Sequence, residues 1–386
     1  MISLRELHEK NNATMGTFNG RIVPAFYHSP EVEYKAVREN ILMVDYSSMS
    51  VVSVMGDDAW ALVNYLASAD VSIIRDEQAM YSLVLNQDGT IAGDISVLCT
   101  DEGYYLLSEN LSAFELIDRL KQILENAADL DIEETPVIQD MEPHGWGAIQ
   151  LEGPYAWEVL AGIYGFDIIG LPYHEFMSTD DGLMVLRCGK HGEFAYQLIG
   201  GQAALCQIWE QLLESGEPFD LKTGGMNYQN TLRVENPCWE PALFSGYSLN
   251  PVELQMQWAI QYDKDDFVGK LAAESLSSAG AERKLVGIFP LAACEGIAAD
   301  DKVRAEGRDV GVIVKSVYSP ACQSLIALAL IDSEYAYSDI PGFEIATQGG
   351  AVAAMTRNVP FFYNFSMLVN PTEHSYIDAS KPKSAL

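Results

Sequence analysis

The chain has 386 residues, of which 48% are hydrophobic and 20% charged, so it is long enough to form two or three domains with cores of their own. Its 55 acidic and 23 basic residues give a formal net charge of −32, which repels nucleic-acid phosphates and anionic lipid headgroups and argues against both kinds of partner. The longest apolar runs are too short to cross a bilayer and the first residues contain no apolar signal segment, so the sequence predicts a cytoplasmic protein.

Helical and strand-like patterns alternate through most of the chain. The predicted helices span residues 57–68, 113–124 and 205–213, and the predicted strands span residues 51–55, 104–107, 148–151, 183–187 and 194–199. The order is not a regular βαβ repeat, and no internal repeat is present. An α+β fold is therefore predicted.

Residues 81–98 predict a β-hairpin that places one carboxylate in an apolar strand. Residues 83–85 are apolar, residues 86–89 (Asn-Gln-Asp-Gly) predict a tight turn, and a second apolar run begins at Ile95. Within the second strand Asp94 must be paired or desolvated, and such positions are often functional. The alternative is a structural aspartate that accepts a backbone N–H bond at the end of the strand.

From Lys284 onward, short apolar segments are separated by Gly, Pro and Asp, with no convincing helix. The strands predicted there span residues 284–289, 310–316, 324–331 and 351–355. This pattern indicates a small all-β C-terminal domain. We predict a main body at residues 1–275, a boundary region at 261–280, an all-β domain at 283–370 and a frayed tail at 379–386.

A series of short motifs resembles the glycine-cleavage T-protein (aminomethyltransferase) family. In chain order they begin at Glu33 (Glu-Tyr-Lys-Ala-Val-Arg), Asp45 (Asp-Tyr-Ser-Ser-Met), Tyr81 (the hairpin), Ala148 (Ala-Ile-Gln-Leu-Glu-Gly-Pro), Gly192 (Gly-Glu), Leu232 (Leu-Arg-Val-Glu), Asn250 (Asn-Pro-Val-Glu), Phe267 (Phe-Val-Gly-Lys) and Val359 (Val-Pro-Phe-Phe-Tyr). No single motif is specific, but their order makes a chance resemblance improbable. The resemblance implies a folate-binding body of two packed α+β parts, a C-terminal β-barrel-like domain, and tetrahydrofolate as the cofactor.

The same resemblance assigns roles to the hairpin. It makes Asp94 the catalytic candidate, which would orient the pterin and stabilise cationic character as the folate nitrogen N5 accepts the carbon. It makes Tyr81 a folate-contacting aromatic residue, although Tyr81 could equally be an ordinary sheet aromatic. The sequence does not decide whether Asp94 also moves a proton.

Several candidate binding residues depart from the family pattern. Glu193 matches it, but Gln197 replaces the glutamate that recognises the pterin amino edge, so a charge-assisted pair of acceptors is lost. On this basis Gln197→Glu is predicted to strengthen folate binding. Gln229 stands where the family has an arginine, so a folate-facing cation is missing, and the nearby Arg233 and Glu235 are candidates for structural ion pairs.

Four further residues are candidates for the substrate pocket. Ser48 stands where the family often has a histidine, and His174 lies near the position of a family tyrosine. Residues 236–247 form a longer, proline-containing segment than the family has, and its Trp239 and Tyr247 could wall a pocket or pack the segment onto the body. All four positions would alter the lining of the pocket.

Cysteine and histidine spacing gives no sign of a metal or a disulfide framework. The six cysteines are Cys99, Cys188, Cys206, Cys238, Cys294 and Cys322. They form no Cys-x-x-Cys pair and are predicted to be buried bystanders. No histidine has a partner at metal-ligand spacing, so no metal is predicted, and no Gly-rich nucleotide motif is present.

These features predict a tetrahydrofolate-dependent one-carbon transferase. The retained Asp94 and the altered pocket positions favour a demethylase that moves a methyl group from a small O-, S- or N-methyl compound to tetrahydrofolate. One alternative is the aminomethyltransferase of glycine cleavage, for which a lipoyl carrier protein would be the partner. The other is a non-catalytic folate-binding protein like the iron–sulfur assembly relatives of this fold, whose Cys-containing motif is missing from residues 244–253.

Overall fold

The computed structural model describes residues 3–126, 130–294 and 296–385. The helices are α1 Leu4–Lys10, α2 Pro30–Glu39, α3 Ala59–Leu66, α4 Ala113–Asn126, α5 Ala156–Tyr164, α6 Asp167–Gly170, α7 Gln202–Ser215, α8 Gln229–Glu235, α9 Pro241–Phe244 and α10 Lys270–Ala279. The strands are β1 Thr14–Phe18, β2 Arg21–Phe26, β3 Leu42–Asp45, β4 Ser50–Met55, β5 Ala79–Leu85, β6 Ile91–Thr100, β7 Gly103–Ser108, β8 Val137–Asp140, β9 Trp146–Glu152, β10 Phe176–Ser178, β11 Leu183–Cys188, β12 Ala195–Gly201, β13 Lys222–Gly224, β14 Arg283–Pro290, β15 Lys302–Ala305, β16 Arg308–Ser319, β17 Ser324–Asp332, β18 Pro341–Thr347 and β19 Gly350–Arg357.

The first sheet has the strand order β10-β11-β12-β9-β3-β13. Its pairs are antiparallel except for the parallel pair β3 and β13. Helices α1, α5 and α7 cover one face, because their apolar residues recur at helical spacing and bury Trp157, Leu160 and Trp209 against the sheet. The second part of the body packs against the other face.

The second sheet has the strand order β5-β6-β7-β4-β8 and is covered by α3 and α4. Because β3 belongs to the first sheet and β4 to the second, the two parts are interleaved along the chain. Their inner faces share one apolar cluster that includes Val44, Val51, Leu107 and Ile199. The prediction of two packed α+β parts is confirmed.

The C-terminal strands, within the described residues, form a closed barrel in the order β14-β17-β16-β15-β18-β19. The sequence predicted four of these strands and missed β15 and β18. The first is only four residues long, and the second begins with Pro341-Gly342, which is typical of a turn. The barrel contacts the body through a cluster that joins Leu285 and Leu328 to Leu83 of the hairpin and Phe244.

The predicted boundary region 261–280 contains α10, which buries Ala273 in the cluster between body and barrel. One sequence prediction about the end of the chain is corrected. The tail is not frayed up to residue 385, because the Tyr155 hydroxyl donates to Lys383 O over 2.8 Å and Ala385 N donates to Leu368 O over 2.9 Å. Leu386 lies outside the described residues.

The predicted division into residues 1–275 and 283–370 stays a prediction. The chain returns to the body after the last barrel strand, since Val369 packs in the first sheet's core and Asn364 Nδ2 donates to His191 O over 2.7 Å. Within the described residues, no helix combines the length and the apolarity that crossing a bilayer requires.

Candidate functional site

A cavity of about 530 Å³ lies where the two sheets and the barrel meet. Residues from all three parts line it, among them Tyr81 and Ser96 of the second sheet, Gln150 and Gln197 of the first sheet, Cys238 after α8, and Arg357 of the barrel. This volume falls within the range of roughly 300–1,000 Å³ that is usual for small-molecule sites. The cavity is therefore the candidate active site.

Asp94 lies beside this cavity on β6 and is only 1% exposed. Its Oδ1 accepts a hydrogen bond from Asn110 Nδ2 over 2.6 Å, and its Oδ2 lies 3.1 Å from Lys190 Nζ. Gly93 permits this approach, since a Cβ there would lie 2.9 Å from Asn110 Oδ1 and 2.4 Å from Leu111. Asp94 is thus a paired, buried carboxylate whose partner Lys190 lines the cavity.

Lys190 connects Asp94 to further buried charges. Its Nζ lies 3.1 Å from Glu109 Oε1, Arg233 Nη2 donates to Glu109 Oε2 over 2.6 Å, and Arg233 also pairs with Glu240. We call these five residues the buried charge chain, in which the side chains of Lys190 and Glu240 are 26% and 30% exposed and the other three are at most 9% exposed. Burial lowers the pKa of Lys190, but attraction to Asp94 and Glu109 outweighs it, so the pKa ends above its usual value. Three carboxylates against two cations leave one negative charge in excess.

Glu109→Gln is expected to lower the free energy of unfolding at pH 7. Burial raises the pKa of Glu109, but Lys190 and Arg233 outweigh it and lower the pKa to about 2. Because the folded pKa lies below the unfolded one, the carboxylate's contribution is fully present above about pH 4.5 and is lost as the pH falls through 2. A shift of this size corresponds to about 3–4 kcal/mol.

Urea unfolding of the wild type and of Glu109→Gln at pH 7, 5, 4 and 3 measures this contribution. The difference between the two proteins should be constant from pH 7 to 5 and shrink below pH 4.5. A difference that stays constant down to pH 3 would contradict the assigned pairing.

Tyr81 and Trp258 form a flat aromatic wall of the cavity. Their rings stack with centroids 5.5 Å apart and an interplanar angle of 22°, and Lys190 Nζ lies 5.8 Å from the Tyr81 ring centroid. Burial raises the pKa of Tyr81, and Asp94 raises it further, so the phenol stays neutral. The sequence indicated Tyr81 but missed Trp258, which is 70% exposed in a short turn at Gln257–Ala259.

Gln197 presents its amide to the cavity as part of a relay of side chains. Its Nε2 donates to Gln150 Oε1 over 2.9 Å, and Gln150 Nε2 donates to Glu152 Oε2 over 2.8 Å. Gln229 is buried and does not line the cavity, but its Nε2 donates to the hydroxyl of Tyr46, which does. The amide of Gln197 is therefore already matched to an acceptor.

Gln197→Glu is expected to destabilise the protein, a cost separate from the gain in folate binding that the sequence predicts for the same substitution. A carboxylate at 197 would face Gln150 Oε1, an acceptor, and would add a second buried acid near Glu152. The lost bond and the unsatisfied acceptor cost about 1–3 kcal/mol. Urea unfolding measures this cost, with Gln197→Met as the uncharged control.

The double variant Gln197→Glu/Glu152→Gln should recover part of the loss, because it restores a single carboxylate in the relay. If Gln197→Glu unfolds at the wild-type urea concentration and binds folate more tightly, the relay is assigned incorrectly and the sequence prediction stands.

Glu193 lies in an ion-pair cluster outside the cavity wall. Its Oε1 accepts from Arg38 Nη1 over 2.8 Å, and its Oε2 accepts from Ser366 N over 3.1 Å. Glu193 was predicted to bind the cofactor, and here it joins the first sheet to α2 and to the returning chain. Glu235 belongs to the same cluster through Arg38 Nη2, 2.6 Å from its Oε2.

Of the four pocket candidates, His174 lines the cavity. Its ring stacks on Tyr173 at a centroid distance of 4.1 Å, and burial lowers the pKa of the imidazole. The other three lie elsewhere, as Ser48 O accepts from Asn19 Nδ2, Trp239 packs on Phe244 in the apolar cluster, and the Tyr247 hydroxyl donates to Asp300 Oδ1.

Lys190, His191, Glu109, Cys238 and Trp258 line the cavity and were missed by the sequence reasoning. Two signals were available. Lys190 and His191 lie inside the motif that supplied Glu193, and Cys238 adjoins Trp239 in the longer segment. Within the residues that the structure describes, no group of three His, Cys, Asp or Glu side chains could hold a metal ion, and the expectation of no metal stays a prediction.

Comparison with known proteins agrees with this architecture. The GCVT N-terminal domain family matches residues 4–264, and the glycine cleavage T-protein C-terminal barrel domain family matches residues 283–363. An aminomethyltransferase of Exiguobacterium sibiricum is 30% identical over 355 residues, covering 90% of this chain and 93% of its own length. An aminomethyltransferase of Caldanaerobacter subterraneus subsp. tengcongensis is 29% identical over 340 residues, covering 86% and 88%.

The fold has a solved counterpart, the glycine cleavage system aminomethyltransferase T of Bartonella henselae. The two structures align with a TM-score of 0.78 over 94% of this chain and 98% of the other, at 21% sequence identity. Both α+β parts and the barrel are therefore those of the T-protein fold. With both family domains matched in order, the chain belongs to the glycine-cleavage T-protein family of tetrahydrofolate-dependent one-carbon transferases.

Proposed function

We propose that this chain is an aminomethyltransferase, which moves the aminomethyl carbon of a carrier-bound intermediate onto tetrahydrofolate. Relatives named aminomethyltransferase support this proposal, since one from Desulfitobacterium hafniense matches 93% of the chain. The observation that carries it is the buried charge chain beside the cavity. Its excess negative charge favours the cationic character that carbon transfer between nitrogen atoms creates.

The residues of the cavity fit tetrahydrofolate. Tyr81 and Trp258 offer a flat aromatic wall for the pterin, and Gln197 and Gln150 offer amide groups for its hydrogen-bonding edge. When bound, tetrahydrofolate supplies the nitrogen that accepts the carbon. These four residues are the proposed binding residues.

Asp94 acts through its neighbours in this proposal. It holds the Lys190 ammonium at the cavity wall, and its carboxylate also raises the pKa of the Tyr81 hydroxyl. Lys190 and Tyr81 both line the cavity, and Asp94 lies beside them. Asp94 therefore fixes the position of the Lys190 ammonium and helps to keep the Tyr81 phenol neutral. A lipoyl-carrying protein is the proposed partner, because the carrier must deliver its arm into an open cavity.

A second candidate is a demethylase that takes a cationic methyl donor. The observation that favours it is the concentration of aromatic rings on the cavity wall, where Tyr81, Trp258 and Tyr173 offer π faces to a sulfonium or ammonium group. The substitutions that suggested a demethylase from the sequence weigh less now, because Ser48 and Gln229 do not line the cavity.

The oxidation level of the product separates the two reactions. In the reverse direction, an aminomethyltransferase converts 5,10-methylenetetrahydrofolate, ammonium and dihydrolipoamide into tetrahydrofolate and the S-aminomethyl thiol. In the forward direction, a demethylase converts tetrahydrofolate and a methylated donor into 5-methyltetrahydrofolate. Mass spectrometry of the folate pool distinguishes these products.

We expect tetrahydrofolate to form only when ammonium and dihydrolipoamide are both present. If 5-methyltetrahydrofolate instead accumulates with a methylated sulfonium, ammonium or methoxy compound, the second candidate replaces the first. If neither product forms while folate still binds, the chain is a non-catalytic folate-binding protein.

A further inference from the structure

Cys238 lines the cavity in the segment that follows α8. The segment is fixed in place because Asn236 Nδ2 donates to Lys190 O over 3.0 Å, and because Trp239, on the other side, is buried in the apolar cluster. Cys238 therefore faces the cavity while its neighbour anchors the segment.

His191 is the imidazole next to this thiol. It is 1% exposed, and its Nδ1 lies 2.9 Å from Glu152 Oε1. Glu152 is itself held by the Tyr228 hydroxyl, which donates to Oε2 over 2.6 Å. On the opposite edge of the ring, Nε2 is buried without a hydrogen-bond partner, and His191 and Cys238 both line the cavity and interact through their side chains.

The other charged groups that act on Cys238 are also cations. Arg233 and Lys190 act on the thiol together with His191, and each of these cations is paired with a carboxylate, Glu109, Asp94 and Glu152 respectively. Burial raises the pKa of Cys238, but the three cations outweigh it and hold the pKa below its usual value. Attraction to Glu152 likewise outweighs the burial of His191 and raises its pKa to about 9.

Cys188 provides an internal comparison. It lines the same cavity and is also partly exposed, yet burial and the negative charges of Glu152 and Glu109 raise its pKa. The two thiols therefore share one cavity and differ in their electrostatic surroundings.

We propose that Cys238, His191 and Glu152 form a nucleophilic thiol site that takes small carbonyl electrophiles, of which formaldehyde is the one-carbon member. Addition to a carbonyl group requires a nucleophile and a proton donor side by side and expels no leaving group. Cys238 Sγ and His191 Nε2 supply these two groups at the cavity wall, and Glu152 orients the imidazole.

The addition balances without any other reactant. The Cys238 thiolate forms a C–S bond to the carbonyl carbon, the π pair of the C=O bond moves to oxygen, and that oxygen takes the proton from His191 Nε2. The product is a hydroxymethyl thioether with a neutral imidazole, and the reverse step releases formaldehyde. Use of this adduct as a carbon source rests on the proposed function, whereas the reactivity of the thiol does not.

The first test compares two cysteines of the wild-type protein. Iodoacetamide is added at pH 6.5 without folate, and peptide mass spectrometry follows alkylation of Cys238 and Cys188 over time. Cys238 should react at least about tenfold faster than Cys188, because the thiolate is the nucleophile. Equal rates, or faster reaction of Cys188, would overturn the proposal.

The second test uses formaldehyde as the probe. Formaldehyde should slow alkylation of Cys238 in a saturable way, dilution should restore the rate, and Cys188 should be unaffected. His191→Gln should reduce the Cys238 rate at pH 6.5 by about tenfold, with recovery at pH 9 showing that the variant still folds around an accessible thiol. Absence of protection would overturn the carbonyl ligand. Both tests measure alkylation of Cys238 and neither requires turnover. A negative result in the folate assays would therefore contradict the proposed function without affecting these two tests.

Discussion

Asp94→Asn is expected to lower turnover by about 10²–10³, because loss of one preorganised electrostatic contact in an active site typically costs about 3–4 kcal/mol. Asparagine keeps the size of the side chain and can still accept the bond from Asn110 Nδ2. It removes the charge that holds Lys190 over 3.1 Å and cancels the excess negative charge of the buried charge chain. Affinity for tetrahydrofolate should fall much less than turnover.

Steady-state kinetics and folate binding of the purified, folded variant measure this effect. Asp88→Asn is the matched control, since Asp88 lies in the turn of the same hairpin, is exposed, and accepts from Thr90 Oγ1 over 2.6 Å. The control should keep wild-type turnover. Near-normal turnover in Asp94→Asn would return Asp94 to a purely structural role.

Arg38→Met is expected to lower the free energy of unfolding by about 3–5 kcal/mol, the usual cost of removing one partner from a buried ion pair. Arg38 lies between two buried carboxylates, with Nη1 2.8 Å from Glu193 Oε1 and Nη2 2.6 Å from Glu235 Oε2. Glu235 Oε1 also accepts from Ser319 Oγ of the barrel over 2.6 Å. Removing Arg38 leaves two negative charges uncompensated where body and barrel meet.

Urea unfolding at neutral pH measures this loss. Lys35→Met is the matched control, because Lys35 lies on the same helix and pairs with Glu39 over 3.7 Å on the surface. The control should change stability by less than about 1 kcal/mol. The triple variant Arg38→Met/Glu193→Gln/Glu235→Gln should recover most of the loss, and a single-variant loss as small as that of the control would contradict the cluster's role.

The hairpin could be predicted because its signal is local. Alternation of apolar residues, an Asn-Gln-Asp-Gly turn and one carboxylate in the return strand lie within 18 residues at positions 81–98. The partners of Asp94 could not be predicted in the same way. Lys190 lies 96 positions away along the chain, and only the packing of the two sheets brings it to Asp94.

The longer segment after α8 shows a second limit of sequence reasoning. Its departure from the family pattern made it a candidate for the cavity wall, and an aromatic residue was the natural choice. Which side chain faces the cavity depends on backbone direction, however, and the structure turns Cys238 inward and Trp239 into the core. Cys238 is therefore placed where a role is open to it, and the prediction that the cysteines are bystanders stays a prediction.

The choice between reactions was less predictable than the fold. Substituted pocket residues favoured a demethylase, but substitutions in a motif show that a pocket has changed and do not identify its substrate. Similarity along the whole chain to proteins named aminomethyltransferase gives better support to the alternative. The residues Ser48 and Gln229 also do not line the cavity.

Binding of tetrahydrofolate at the aromatic wall tests the central claim most directly. The melting temperature should rise with tetrahydrofolate concentration, with about 2.7 kcal/mol of added stability at a hundredfold excess over Kd. Trp258→Ala should weaken binding by about 0.5–1.5 kcal/mol, whereas Trp60→Ala, which removes an exposed tryptophan away from the cavity, should not. No shift at saturating tetrahydrofolate, or the same shift in the wild type and both variants, would contradict the assignment of this cavity as the folate site.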